Sequence, residues 1–379
     1  MSASEATKVK SKQGYVDFKN VSRFSGAILA TLIGSGFASG EEILQFFTVY
    51  GKNSIFASLI ALVLFSAVLG ILLSYGYRNR KGSVSNVYEH YLGNVFGKFM
   101  KIYTPIFAFL IGIVTISGAG ASINQYFGIS NVWGTVIMSA AVLASVLLGF
   151  DRLIDILSSF GPLIIIISLF IGGYTLIMNP VNIDASTAFL QSAENLPYGA
   201  GNNASFWWLG GILFVAYNII AVVPFVTRLG SDANSQREGL LGGVVGGVGF
   251  ILSALVMNLA MLNHAEEMLS VEVPVLRLAQ NIGPVMGGIF ILILLSAIFT
   301  TAGPFLWTVS DAILPEDTSD KKKKITIIII SLAILVGAQL PFRTLVGIVY
   351  PFSGYFGIAL IVLVISKELL DIYRAKQAN

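Results

Sequence analysis

Cysteine is absent from this chain of 379 residues, and histidine occurs only at His90 and His264. Disulfides and thiolate-bound metals are thereby excluded, and two imidazoles leave little from which to build a metal centre. Charge is scarce too: Asp, Glu, Lys and Arg make up 11% of the residues, and the net charge of +3 is scattered. No nucleic-acid partner is implied by so thin a distribution. The first twenty residues carry Lys8, Lys10, Lys12 and Lys19 but no short apolar core ending in a small-residue cleavage site, which argues against a cleaved signal peptide. No nucleotide motif and no nucleophile with a histidine partner at membrane depth can be found, so an enzyme is not expected.

What the chain has in abundance is apolar sequence. Hydrophobic residues make up 55% of it and the mean hydropathy is +0.81, values of an all-α polytopic membrane protein with no separate soluble domain. Ten apolar runs of spanning length can be marked, at 21–50, 53–77, 99–127, 131–149, 153–178, 205–228, 239–263, 283–313, 325–340 and 344–366. If the first span starts inside, only Lys52, Arg277 and Arg343 among the basic residues fall outside, which predicts a multi-pass protein of the cell membrane with both termini cytoplasmic. Residues 1–20 and 367–379 are then cytoplasmic, and 179–204 is an external connection. A short cytoplasmic helix is expected over Ser83–Tyr91. Lys321 to Lys324 read as a topology anchor on anionic lipid.

One run is not built merely to span. Ile33 to Glu42 holds three glycines, two serines and two adjacent carboxylates, poor helix formers and expensive groups at this depth. The run 21–50 would reach roughly 45 Å as a helix, against about 30 Å of hydrocarbon, so two half-helices and a break fit. Irregular backbone in a membrane needs protein or a water-filled cavity around it, which makes Gly34, Ser35 and Gly36 a candidate solute loop whose free amides favour a carboxylate. Ser39 and Glu42 have capping-box spacing, making Glu42 the expected cap of the second half-helix. Glu41 has three open roles: contact with a substrate amine, uptake of a coupling proton, or exposure to an outer vestibule.

Span six has a corresponding irregularity, with Tyr217 and Asn218 at its middle and Pro224 beyond them. Two interrupted helices at matching places in two five-span units, 21–178 and 205–366, point to an inverted repeat with a midplane site. In span three, Gly118 to Ala121 would allow close approach to the broken helix, either as packing or, at Gly120, as part of the site. Asn124 and Gln125 lie toward its outer end.

The stretch Gly34 to Phe47, Val215-Ala216-Tyr217-Asn218 and Ile348-Val349-Tyr350-Pro351 together resemble the YkvI-type amino acid permeases, over nearly the whole chain. That family belongs to the amino acid/polyamine/organocation superfamily. The resemblance implies the LeuT-type fold, with ten helices as a 5+5 inverted repeat, helices one and six broken, and a substrate site at Gly34, Ser35, Gly36, Phe37, Glu41, Gly120, Asn124, Tyr217 and Asn218. It also implies a sodium site from Ala30, Ile33, Ala297, Thr300 and Thr301. The expected activity is sodium-coupled transport of an amino acid or related small zwitterion, with sodium as coupling ion and no other cofactor. Proton coupling through Glu41 and a ligand-sensing receptor on the same fold are the rival expectations.

Overall fold

The computed structural model describes residues 16–80, 86–148, 161–193, 196, 206–314 and 317–377. The lysines at 8, 10, 12 and 81, Arg152, the start of the expected fifth span and most of the connection 194–205 lie outside the described residues.

The first span is three pieces: α1 (Phe18–Leu32), α2 (Ser35–Ser39) and α3 (Glu41–Phe46), then a single 3₁₀ turn. There follow α4 (Asn53–Arg78), α5 (Asn86–Phe127), α6 (Asn131–Leu148), α7 (Gly161–Met178), α8 (Ile183–Ser192), α9 (Trp207–Gly230) and α10 (Gln236–Asn263). The remainder is α11 (Ala265–Leu269), α12 (Pro274–Ile282), α13 (Pro284–Ile313), α14 (Asp320–Gly337) and α15 (Phe342–Gln377). Helix starts carry the expected chemistry: Asp17 accepts from the Lys19 amide, Asn182 from Ala185 and Ser235 from Glu238, and prolines open α12 and α13. Of the short helix expected over Ser83–Tyr91, residues 83–85 lie outside the described residues and 86–91 form the start of α5, set off from the rest by Gly93 at φ 71°.

Among the described residues, seven helices are long and apolar enough to cross a membrane, or eight if α7 and α8, bent by 105°, form one broken span. This is a multi-span membrane protein. The first span escapes that criterion because it is divided, and α14 because Asp320 and four lysines begin it.

Helices α4, α9 and α10 form the densest part of the interior, with α1 against α10, α15 against α9 and α13 against α5. Small residues allow this: a Cβ on Gly211 would lie 2.3 Å from the Ala57 carbonyl, and one on Gly357 2.2 Å from that of Ala216. Backbones approach closely because packing, rather than release of water, drives helix association in lipid.

Span six corrects the expected second break. Helix α9 runs unbroken from Trp207 to Gly230 with Pro224 inside it. The Asn218 Nδ2 donates to the Phe214 carbonyl at 2.9 Å, so the amide that signalled an interruption is satisfied along its own helix.

Candidate functional site

At the end of α1 the Ile33 amide still reaches Leu29 O (3.0 Å), but the Gly34 amide turns to Leu32 O (2.9 Å). Gly34 is extended, at φ −89° and ψ −166°. The carbonyls of Ala30 and Ile33 consequently accept no backbone hydrogen bond among the described residues, as expected where helical pairing stops. A second break follows at Gly40, whose φ of 86° is left-handed and whose missing Cβ would lie 2.4 Å from the Met261 methyl. Only glycine meets both conditions there.

This second turn overturns the capping box. Ser39 stays in the last turn of α2, where its Oγ donates to Gly36 O at 2.7 Å, and Gly40 rather than Ser39 precedes α3. Glu42 is therefore released from capping. Its Oε2 accepts the Tyr217 hydroxyl at 2.6 Å, and Tyr350 stands beside that tyrosine. The two rings stack with centroids 4.6 Å apart and planes within 6°. Oε1 lies against Gly36, 1.7 Å from where a Cβ would be.

These groups face a cavity of about 60 Å³ lined by Thr31, Gly34, Gly36, Glu42, Tyr217, Asn218, Thr301 and Tyr350, with Ile111, Phe305 and aliphatic residues of α1 and α9 completing it. It has room for a few waters or a small solute. Of the substrate residues expected from sequence, Gly34, Gly36, Tyr217 and Asn218 line it, and Ser35 opens α2 beside it. The space over Gly36, expected to take a solute carboxylate, holds the Glu42 carboxylate instead. With Glu42 ionised, a second carboxylate within about 4 Å would be repelled by about 4 kcal/mol at an effective dielectric of about 20.

The other expected residues are placed elsewhere. Phe37 is buried against Phe250, with ring centroids 5.0 Å apart. Gly120 is a packing residue, since a Cβ there would lie 2.6 Å from the Thr135 side chain on α6. Asn124 is exposed and donates to Ile129 O at the end of α5. Its neighbour Gln125 exchanges two hydrogen bonds with the backbone of Val273, of 2.9 and 3.0 Å.

Glu41 does not line the cavity. Its Oε1 accepts from Arg343 Nε at 2.9 Å and from Gln45 Nε2 at 2.8 Å. Arg343, at the start of α15, also donates to the carbonyls of Leu269 (2.6 Å), Met268 (3.3 Å) and Val271. One guanidinium thus fastens α3 and α15 to the end of α11. Burial pushes the carboxyl of neighbouring Glu272 above its ordinary value, an effect that Arg343 opposes. At the other end of the first span, buried Glu238 accepts from the Asp17 amide (2.9 Å), Asn20 Nδ2 (3.2 Å) and the Asn234 amide (3.0 Å). Only its place in the first turn of α10 hinted at this.

Of the expected sodium ligands, Thr301 borders the break, its Oγ1 3.8 Å from where a Gly34 Cβ would be. Thr300 instead donates to Ala297 O at 3.0 Å within α13.

No family model matches the chain. The uncharacterized proteins YyaD and YkvI of Bacillus subtilis are similar to it, YyaD at 23% identity over 91% of this chain and 96% of its own length. For YkvI the figures are 21%, 92% and 96%. The chain is a homologue of these YkvI-type membrane proteins. Among solved structures, MhsT in complex with L-phenylalanine superposes with a TM-score of 0.59 at 17% identity, covering 90% of this chain and 87% of that one. The inward-facing form of Mhp1 gives 0.52 at 15% identity, covering 92% and 76%. A manganese transporter of Eremococcus coleocola gives 0.53 at 16%, covering 90% and 77%. The fold is therefore that of the LeuT-type transporters.

Proposed function

We propose that this chain is a secondary active transporter of the cell membrane that carries an amino acid or related small zwitterion with sodium. The observation that carries the reading is the Ile33–Gly34 break opening onto a cavity shared with α9, α13 and α15. In this reading the Glu41–Arg343 fastening serves closure on one side and the Glu238 contacts serve it on the other. In this reading the ten apolar segments are ten spans in two inverted units, 21–178 and 205–366, with both termini cytoplasmic and Lys321 to Lys324 against anionic lipid.

Sodium would use the Ala30 and Ile33 carbonyls with Thr301, Ala297 and Thr300, tying α1 to α13. Ion and solute drive the cycle only through their different affinities for the outward and inward states. The MhsT complex with L-phenylalanine, on the same fold, supports the amino acid class. Arg343, by engaging Glu41, weighs against proton coupling through that carboxylate.

The test is uptake into proteoliposomes from an amino acid mixture under a sodium gradient, a pH gradient or neither. Accumulation that follows sodium supports the reading. Accumulation that follows pH alone, or none with any driving ion, overturns it.

A further inference from the structure

The cavity has an acidic side chain and no basic one. Glu42 lines it, and among the described residues no lysine, arginine or histidine does. Four carboxylates elsewhere are paired with cations, Glu41 with Arg343, Glu89 with Lys101, Glu267 with Arg277 and Glu368 with Arg78, and buried Glu238 is held by amide donors of Asp17, Asn20 and Asn234. Among the described residues Glu42 has a neutral hydrogen-bond partner, the Tyr217 hydroxyl, and no ion pair. A carboxylate so enclosed is favoured in its ionised form by a cation opposite it.

The surroundings indicate which kind of cation. Sodium, in the reading above, is held by Ala30, Ile33, Ala297, Thr300 and Thr301 and not by Glu42, which leaves the carboxylate to another cation. Carbon surface is plentiful: Tyr217 stacked on Tyr350, with Phe305 and Ile111 also lining the cavity. Aromatic faces beside a carboxylate suit an ammonium group carried on a carbon chain.

We propose that Glu42 receives the ammonium group of the solute, so that the amine is the anchoring end and a carboxylate is not required for binding. This rests on reading the cavity as the solute site. The positive end is selected because the negative position over Gly36 is already filled from within the chain.

The test uses purified full-length protein and matched trios: L-leucine, isoamylamine and 4-methylpentanoate; L-phenylalanine, phenethylamine and 3-phenylpropionate; L-alanine, ethylamine and propionate. Ligand-induced thermal stabilisation is read in sodium and in potassium. The amine of at least one trio should stabilise as its amino acid does, and the acid should not. Glu42→Gln should weaken amine binding about tenfold to a hundredfold, the range of a charge-assisted hydrogen bond, with Glu42→Asp intermediate. The acid arm on unaltered protein decides the matter even where a variant does not fold.

Stabilisation by the acid equal to that by the amine overturns the proposal. So does unchanged amine binding in Glu42→Gln, or absence of stabilisation by every amine. Stabilisation by sodium alone that disappears in Glu42→Gln would make the carboxylate an ion ligand and also overturn it. Failure of the transport reading is distinct: amine binding that depends on Glu42, without gradient-driven uptake, removes the transporter and leaves this inference standing.

Discussion

Breaking the Glu41–Arg343 pair should be strongly asymmetric. Glu41 is 0% exposed and the Arg343 side chain 22%. Arg343→Met leaves Glu41 with Gln45 as its remaining hydrogen-bond partner, and removing one partner of a buried ion pair costs about 3–5 kcal/mol. Glu41→Gln is gentler. The amide oxygen can still accept, and the guanidinium keeps the carbonyls of Met268, Leu269 and Val271, so a cost of about 1–2 kcal/mol is expected. The double variant Glu41→Gln/Arg343→Met should recover part of the loss, because the stranded charge is gone. Apparent melting temperatures of the four proteins, purified in one detergent at one pH, provide the assay. The expected order is unaltered protein, Glu41→Gln, double variant, Arg343→Met. Equal destabilisation by the two single changes, or a double variant weaker than Arg343→Met, would refute the account of Glu41 as a buried charge held by that arginine.

Gly36→Ala places a methyl group 1.7 Å from Glu42 Oε1; moving the carboxylate off Tyr217 should cost about 1.5–3 kcal/mol, and melting curves should show little effect of the same change in a Glu42→Ala background. Thr301→Val should raise the sodium concentration for half-maximal uptake, with solute binding weakened chiefly at low sodium, whereas Thr300→Val should do less because its hydroxyl serves Ala297 O; equal effects in a sodium titration would reject the distinction. A cysteine replacing Lys52 should react with an impermeant thiol reagent in intact cells and one replacing Ser319 should not, both positions being exposed in the fold; the reverse pattern would invert the topology.

The sequence determined those features that depend on composition along one segment. Apolar runs must become helices in lipid because unpaired backbone groups are too costly there, and glycine with serine at residues 34–36 loosens one of them. The break at Ile33–Gly34 and the places of Gly34 and Gly36 on the cavity were readable on those grounds, whereas Tyr217 and Asn218 line it from an unbroken helix. Tertiary structure decided which acid serves which task. Glu41 and Glu42 are adjacent, so they point roughly 100° apart on a helix, and their directions are set by the left-handed turn at Gly40. Met261 and Val275, from α10 and α12, enclose that turn. Glu41's partner is Arg343, at the far end of the chain. Asn218 and Pro224 resembled a second break, yet the helix continues because Phe214 O lies one turn back to take the amide. Local residue types show where the backbone is weak, whereas the assignment of charge follows from partners brought close only by folding.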